Sequence, residues 1–79
     1  MMDGIWEKLS ARELKVLDLA SRGLIDLAIA AELGISISTV RSYWSRIRSK
    51  MGVVGRPELV ARHVRAVTRR RMDAFQAED

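Results

Sequence analysis

DLAIAAELGISISTVRSYWS, residues Asp26 to Ser45, decides the fold of this chain. Ile29, Ala30 and Leu33 recur at helical spacing and form one apolar face. Gly34 then interrupts the helix, Ile35 is an apolar residue in the turn, and Ser36 opens a second helix. Val40, Tyr43 and Ile47 are expected to face inward on that helix, extended by Met51. A small residue, a glycine four positions on and a β-branched residue six further is the spacing of a helix-turn-helix. Ala30 is small where the following helix crosses. Gly34 suits a tight turn that needs positive φ.

Two further helices complete the pattern to four, and no run alternates apolar and polar residues as a half-buried strand would. The first is expected over Ala11 to about Arg22. Ser10 stands at its N-cap with Glu13 at N3, a capping box, and Leu9 and Leu14 fit the hydrophobic staple. Leu14, Leu17, Ala20 and Leu24, widened by Val16 and Leu19, mark its apolar face, and Gly23 supplies the stop. Ile5 and Trp6 precede it as a short arm over residues 1–8. The fourth helix begins after Gly55, with Pro57 in the first turn, where no amide bond is lost, and Glu58 at the positive end of the dipole. It runs through Leu59, Val60, Val64 and Val67 into Arg69-Arg70-Arg71. Residues 69–79 form a basic helix end and an acidic tail that is expected to fray from Asp73. The expected fold class is all-α, a compact four-helix bundle containing a helix-turn-helix, with the domain over residues 9–68.

Composition narrows the function. With no cysteine, disulfides and thiolate metal sites are out of reach. The apolar runs are too short for a membrane span, and the first residues lack a signal-peptide pattern, so a cytoplasmic protein is expected. The net charge of +4 conceals a step. Residues 1–35 sum to −2, residues 36–71 to +9 and residues 72–79 to −3. The basic excess starts where the second helix of the motif starts, as expected for a polyanion-binding surface. Ser38, Arg41, Ser42, Ser45 and Arg46 lie on the outward face of that helix. Arg41 can form two bonds to guanine, and the serines can donate to or accept from any base. Arg48 and Arg56 can add phosphate contacts, which position without specifying. Double-stranded DNA is the expected partner.

An enzyme is not expected. No nucleophile–base pair, phosphate loop or convergent acid pair is visible. Glu13, Asp18, Asp26 and Glu32 read as caps and surface charges. His63 has no second histidine or cysteine nearby, so no metal and no cofactor is expected.

Taken in order, Leu9-Ser10-Ala11-Arg12-Glu13, Val16-Leu17, Gly23-Leu24, Ile29-Ala30, Leu33-Gly34-Ile35-Ser36, Thr39-Val40, Ile47, Lys50-Met51-Gly52-Val53, Arg56 and Glu58-Leu59-Val60 resemble the LuxR/GerE DNA-binding domains of bacterial transcription regulators. The likeness covers about residues 9–65. It implies a four-helix bundle whose third helix enters the major groove and whose fourth forms a dimer interface. By that resemblance Arg41, Ser42 and Ser45 are the base-contact positions. Ser38, Thr39, Arg46 and Lys50 stand near phosphates. Val60, Val64 and Val67 recur at helical spacing beyond what a small bundle buries and are the expected homodimer contacts. The chain departs from the family at Ile25, which replaces a serine cap, at Leu27 and Ala28, which replace lysine and glutamate, at Ile37, which replaces a polar residue, and at Tyr43, which takes a common histidine position. A cap shifted to Asp26 would compensate for Ile25. Trp44 is expected in the core or at the groove edge. Ile25, Leu27 and Ile37 form a possible patch for RNA polymerase or another regulator. Two other readings are a protein-interaction module with weak DNA binding and a promoter-recognition domain like the last domain of sigma factors. The chain is read either as a stand-alone small regulator or as a domain of a longer one.

Overall fold

Two of the four helices begin at a capping serine and three end at a glycine of positive φ, which satisfy backbone groups that a helix terminus leaves over. The computed structural model describes residues 7–52 and 55–77, with side chains through Met72. Helix α1, Ala11–Ser21, starts on the expected capping box. Ser10 Oγ accepts from the Glu13 amide at 3.1 Å, and the Ser10 amide donates to Glu13 Oε1 at 2.9 Å. It ends in a Schellman arrangement, with the Leu24 amide on the Leu19 carbonyl at 3.2 Å and the Gly23 amide on that of Ala20 at 3.0 Å. The expected arm at Ile5 and Trp6 lies outside the described residues.

Helix α2, Asp26–Leu33, closes at Gly34, whose φ is 67°. A Cβ there would meet nothing within 4 Å, so glycine is favoured by the left-handed backbone and not by crowding. The start of α2 departs from expectation. Ile25 occupies the N-cap with no side-chain hydrogen bond, and Asp26 does not replace the missing cap, because its carboxylate is turned to Trp44 and Arg56. Helix α3, Ile37–Met51, is capped by Ser36, which accepts from the Thr39 amide at 3.1 Å. Arg48 and Lys50 in its last turn suit the negative end of the dipole. Helix α4, Arg56–Ala77, has 22 residues, about 33 Å at the usual rise. It extends past Asp73, where the sequence predicts a frayed end, to Ala77.

One core joins the four helices. Val16 and Leu17 of α1, Ile29 of α2, Val40 and Ile47 of α3 and Leu59 of α4 are fully enclosed. Ala30 is buried at the α2–α3 crossing, as its size predicts. The inward stripe of α3 differs by one residue from the reading of the sequence. Trp44 is 1% exposed and fills the core, while Tyr43 and Met51 are half-buried at its edge. Positions 40, 44, 47 and 51 and positions 40, 43, 47 and 51 both fit the 3.6-residue period, and the larger apolar surface of the indole takes the central place. Leu14, Ala20 and Leu24 likewise pack at the margin, around a centre formed by Val16, Leu17 and Leu19. No strand occurs among the described residues.

Candidate nucleic-acid interface

With Val40, Trp44 and Ile47 locked inward, α3 presents its opposite side to solvent. Ser38, Arg41, Ser42, Ser45 and Arg46 are all exposed on it. Thr39 is half-buried, and its Oγ1 lies 2.9 Å from Ser36 Oγ. Arg48 is half-buried. The Arg46 guanidinium lies 5.6 Å from the centre of the Tyr43 ring, a cation–π distance that restrains the side chain without neutralising it. Among the described residues no carboxylate lies within ion-pair distance of Arg41, Arg46 or Arg48. The structure thus brings together the expected base-contact positions Arg41, Ser42 and Ser45 and the neighbouring cation Arg46 on one open face.

Lys50 and Arg56 have other commitments. Lys50 Nζ lies 2.7 Å from Glu13 Oε1, and Arg56 forms a two-pronged bond to Asp26, at 3.0 Å to Oδ1 and 2.7 Å to Oδ2. Each cationic side chain keeps 41% exposure. Glu13 and Asp26 are therefore more than the cap and surface charge read from the sequence. Glu13 is 2% exposed and serves the capping box and Lys50 together. Burial works against its charged form. The Lys50 hydrogen bond, the Ser10 amide and the lysine charge outweigh it, and hold the carboxyl below its ordinary range.

Asp26 is governed by the same balance. Burial opposes the charge, and the Arg56 hydrogen bonds, the Trp44 indole N–H and the positive charges of Arg56 and Arg41 overcome it, so its carboxyl too is held low. Trp44 Nε1 donates to Asp26 Oδ1 at 3.0 Å, and the Arg56 guanidinium stacks on the indole at 4.5 Å. This Asp26–Trp44–Arg56 cluster was not readable as a unit, since its members stand 18 and 30 residues apart. The available signal was an indole N–H on an inward stripe, which needs an acceptor when buried.

Around the cluster runs a groove of about 500 Å³ between the starts of α2, α3 and α4. Ile25 and Leu27 on its rim are 70% and 61% exposed, whereas Ile37 is half-buried. On α4, Val64 is 44% exposed while Val60 and Val67 are half-buried. These valines sit beside the core-facing line of Leu59, His63 and Ala66. His63 is buried, with Nε2 3.1 Å from Asp18 Oδ1. No group of metal-ligating side chains occurs among the described residues, and none of the described helices is long and apolar enough to cross a membrane.

Response regulator Rre1 of Synechocystis sp. is 49% identical over 49 residues, which are 62% of this chain and 21% of that protein. Oxygen regulatory protein NreC of Staphylococcus aureus is 40% identical over 52 residues, 66% of this chain and 24% of that protein. The chain thus spans about a quarter or less of the length of these relatives. No solved structure matches. The family model for bacterial regulatory proteins of the luxR family matches residues 7–63, the part of the chain that builds α1, α2, α3 and the first turns of α4. The chain belongs to the luxR family of bacterial regulatory proteins.

Proposed function

We propose that this domain reads specific sites on double-stranded DNA in the bacterial cytoplasm, with α3 in the major groove, and so regulates transcription. Membership of the luxR family carries the coarser part, a DNA-binding transcription regulator and not an enzyme. The finer part rests on one observation: Ser38, Arg41, Ser42, Ser45 and Arg46 are exposed together on a helix whose other face is fixed in the core. Arg41, Ser42 and Ser45 contact bases in this reading. Ser38, Thr39, Arg46 and Arg48 contact phosphates, and Lys50 and Arg56 add weaker phosphate attraction from within their ion pairs.

A binding selection on random duplex DNA tests the proposal, and an enriched motif is the expected result. On that motif Arg41→Ala is expected to lose about 1–3 kcal/mol and to relax preference at one base pair. Arg46→Gln should instead reduce the log–log salt slope by about one and leave sequence preference as it was. Absence of any motif, with affinity flat in salt, would favour a protein-interaction module in place of a DNA reader.

The reading includes a homodimer through α4, supported by the exposed Val64 between Val60 and Val67. The site is then an inverted repeat with half-site centres about one helical turn apart. Val64→Asp is expected to weaken binding to the full site by at least about tenfold, because a buried carboxylate opposes the interface, and to leave half-site binding nearly unchanged. Equal losses on both would mean that monomers bind.

A second reading is favoured by the exposure of Ile25 and Leu27. Together with Ile37 they form an apolar corner that docks a protein of the transcription machinery, RNA polymerase or another regulator. Leu27→Lys should keep fold and DNA affinity and reduce transcription from the bound promoter in a reconstituted assay with polymerase. Unchanged transcription removes this corner from the partner surface.

A further inference from the structure

We infer that Asp26, which touches no base in this reading, is the positioning residue that sets the rotational setting of the recognition helix and thereby its sequence preference. The inference rests on the DNA-reading function proposed above and adds a residue to it.

The core keeps the apolar stripe of α3 inward but supplies no directional contact to it. Apolar contacts are non-directional, and a helix can roll slightly while its buried stripe stays buried. A roll of about 20° moves an atom some 6 Å from the axis by about 2 Å, enough to break a bidentate bond to a base edge. Directional restraints on α3 are therefore what translate the fold into base selection. The cluster at Asp26 is such a restraint, and it acts on the residue that matters. Trp44 follows Arg41 by three positions, which makes the two neighbours on the helix surface, and precedes Ser45 by one, so holding the indole holds the base-reading positions of the same turn.

The hold is two-sided. Asp26 Oδ1 accepts from Trp44 Nε1 at 3.0 Å, which fixes the ring's edge. Arg56, itself forked onto both carboxylate oxygens, covers the ring's face at 4.5 Å. One carboxylate at the start of α2 thus ties α2 to α3 and to α4. Charge-assisted bonds of this kind are short and strongly directional. Arg41 lines the same groove as Asp26 and Trp44, so the negative charge also faces the base-reading cation.

A purely structural role predicts something different. Loss of stability removes active protein and lowers specific and non-specific binding alike. Loss of positioning lowers the ratio between them. The test measures affinity for the selected site and for unrelated duplex DNA, corrected for active fraction, in wild type, Asp26→Ala, Asp26→Asn and Trp44→Phe. Asp26→Ala is expected to reduce the specific-to-non-specific ratio about tenfold, the worth of one well-aligned base contact. Asp26→Asn keeps an oxygen for the indole and should lose no more than about threefold. Trp44→Phe keeps the ring and deletes only the N–H, and combined with Asp26→Ala it should reduce the ratio no further than Asp26→Ala alone. If Asp26→Ala does not fold, Trp44→Phe carries the test, with a ratio below wild type expected. A ratio equal to wild type in the folded variants overturns the inference and leaves the DNA reading intact. A wild type with no preference for any site overturns the DNA reading itself, and the inference with it.

Discussion

Trp44→Ala is expected to leave most molecules unfolded at 25 °C. The indole is 1% exposed at the meeting point of α2, α3 and α4. Truncating a buried tryptophan to alanine costs about 3–5 kcal/mol in lost burial and residual cavity. A single core in a chain under about 80 residues supplies on the order of 3–5 kcal/mol in total, so one side chain is worth a stability comparable to the whole. The cost is raised further because Asp26 loses one of its donors and Arg56 its stacking surface. Urea titration followed by far-ultraviolet circular dichroism checks this. Tyr43→Ala, one residue away and half-buried, is the comparison and should shift the midpoint by much less. If the two shifts were equal, the central place of Trp44 in the core would be wrong.

That contrast between Tyr43 and Trp44 also marks how far the sequence could be read. Most local signals were legible. The capping box at Ser10 and Glu13, the stop at Gly23, the turn at Gly34 and the outward set from Ser38 to Arg46 depend on residues a few positions apart, and the structure has each of them. Which of two adjacent aromatics enters the core is decided by the shape left between three helices, and periodicity alone could not choose. Long-range polar pairs were out of reach for the same reason. Glu13 with Lys50 and Asp26 with Arg56 are 37 and 30 residues apart, and nothing in either segment states its partner. The consequence for function is specific. Lys50 and Arg56 read as phosphate contacts from charge and position, yet each is engaged by a carboxylate inside the domain. A count of basic residues therefore overstates the charge that the protein can offer to DNA.

Glu13→Ala should also destabilise the fold, and it should alter how the protein responds to acid. The side chain accepts from the Ser10 amide at 2.9 Å and from Lys50 Nζ at 2.7 Å while almost wholly enclosed. Losing the reciprocal half of a cap costs about 1 kcal/mol. Removing one partner of a buried charge pair costs about 3–5 kcal/mol when both charges are enclosed, and less here because Lys50 is 41% exposed and can turn to water. A total of about 2–3 kcal/mol follows, at neutral pH. The pH dependence has a definite sign. The carboxyl's value in the folded protein lies below its ordinary 4.5, so its stabilisation is complete above that ordinary value and disappears as pH falls through the lowered one. Asp26 acts in the same direction from its ordinary 3.8. Wild type should therefore lose stability on acidification below about pH 5, and Glu13→Ala should lose less over the same interval, because part of what acid removes is already gone. Unfolding free energies from urea titrations at several pH values measure both slopes. Parallel slopes would show that the Glu13 charge contributes nothing to stability. In the folded fraction of the variant Lys50 is released from its carboxylate, and non-specific affinity for duplex DNA should rise with a salt slope steeper by up to about one.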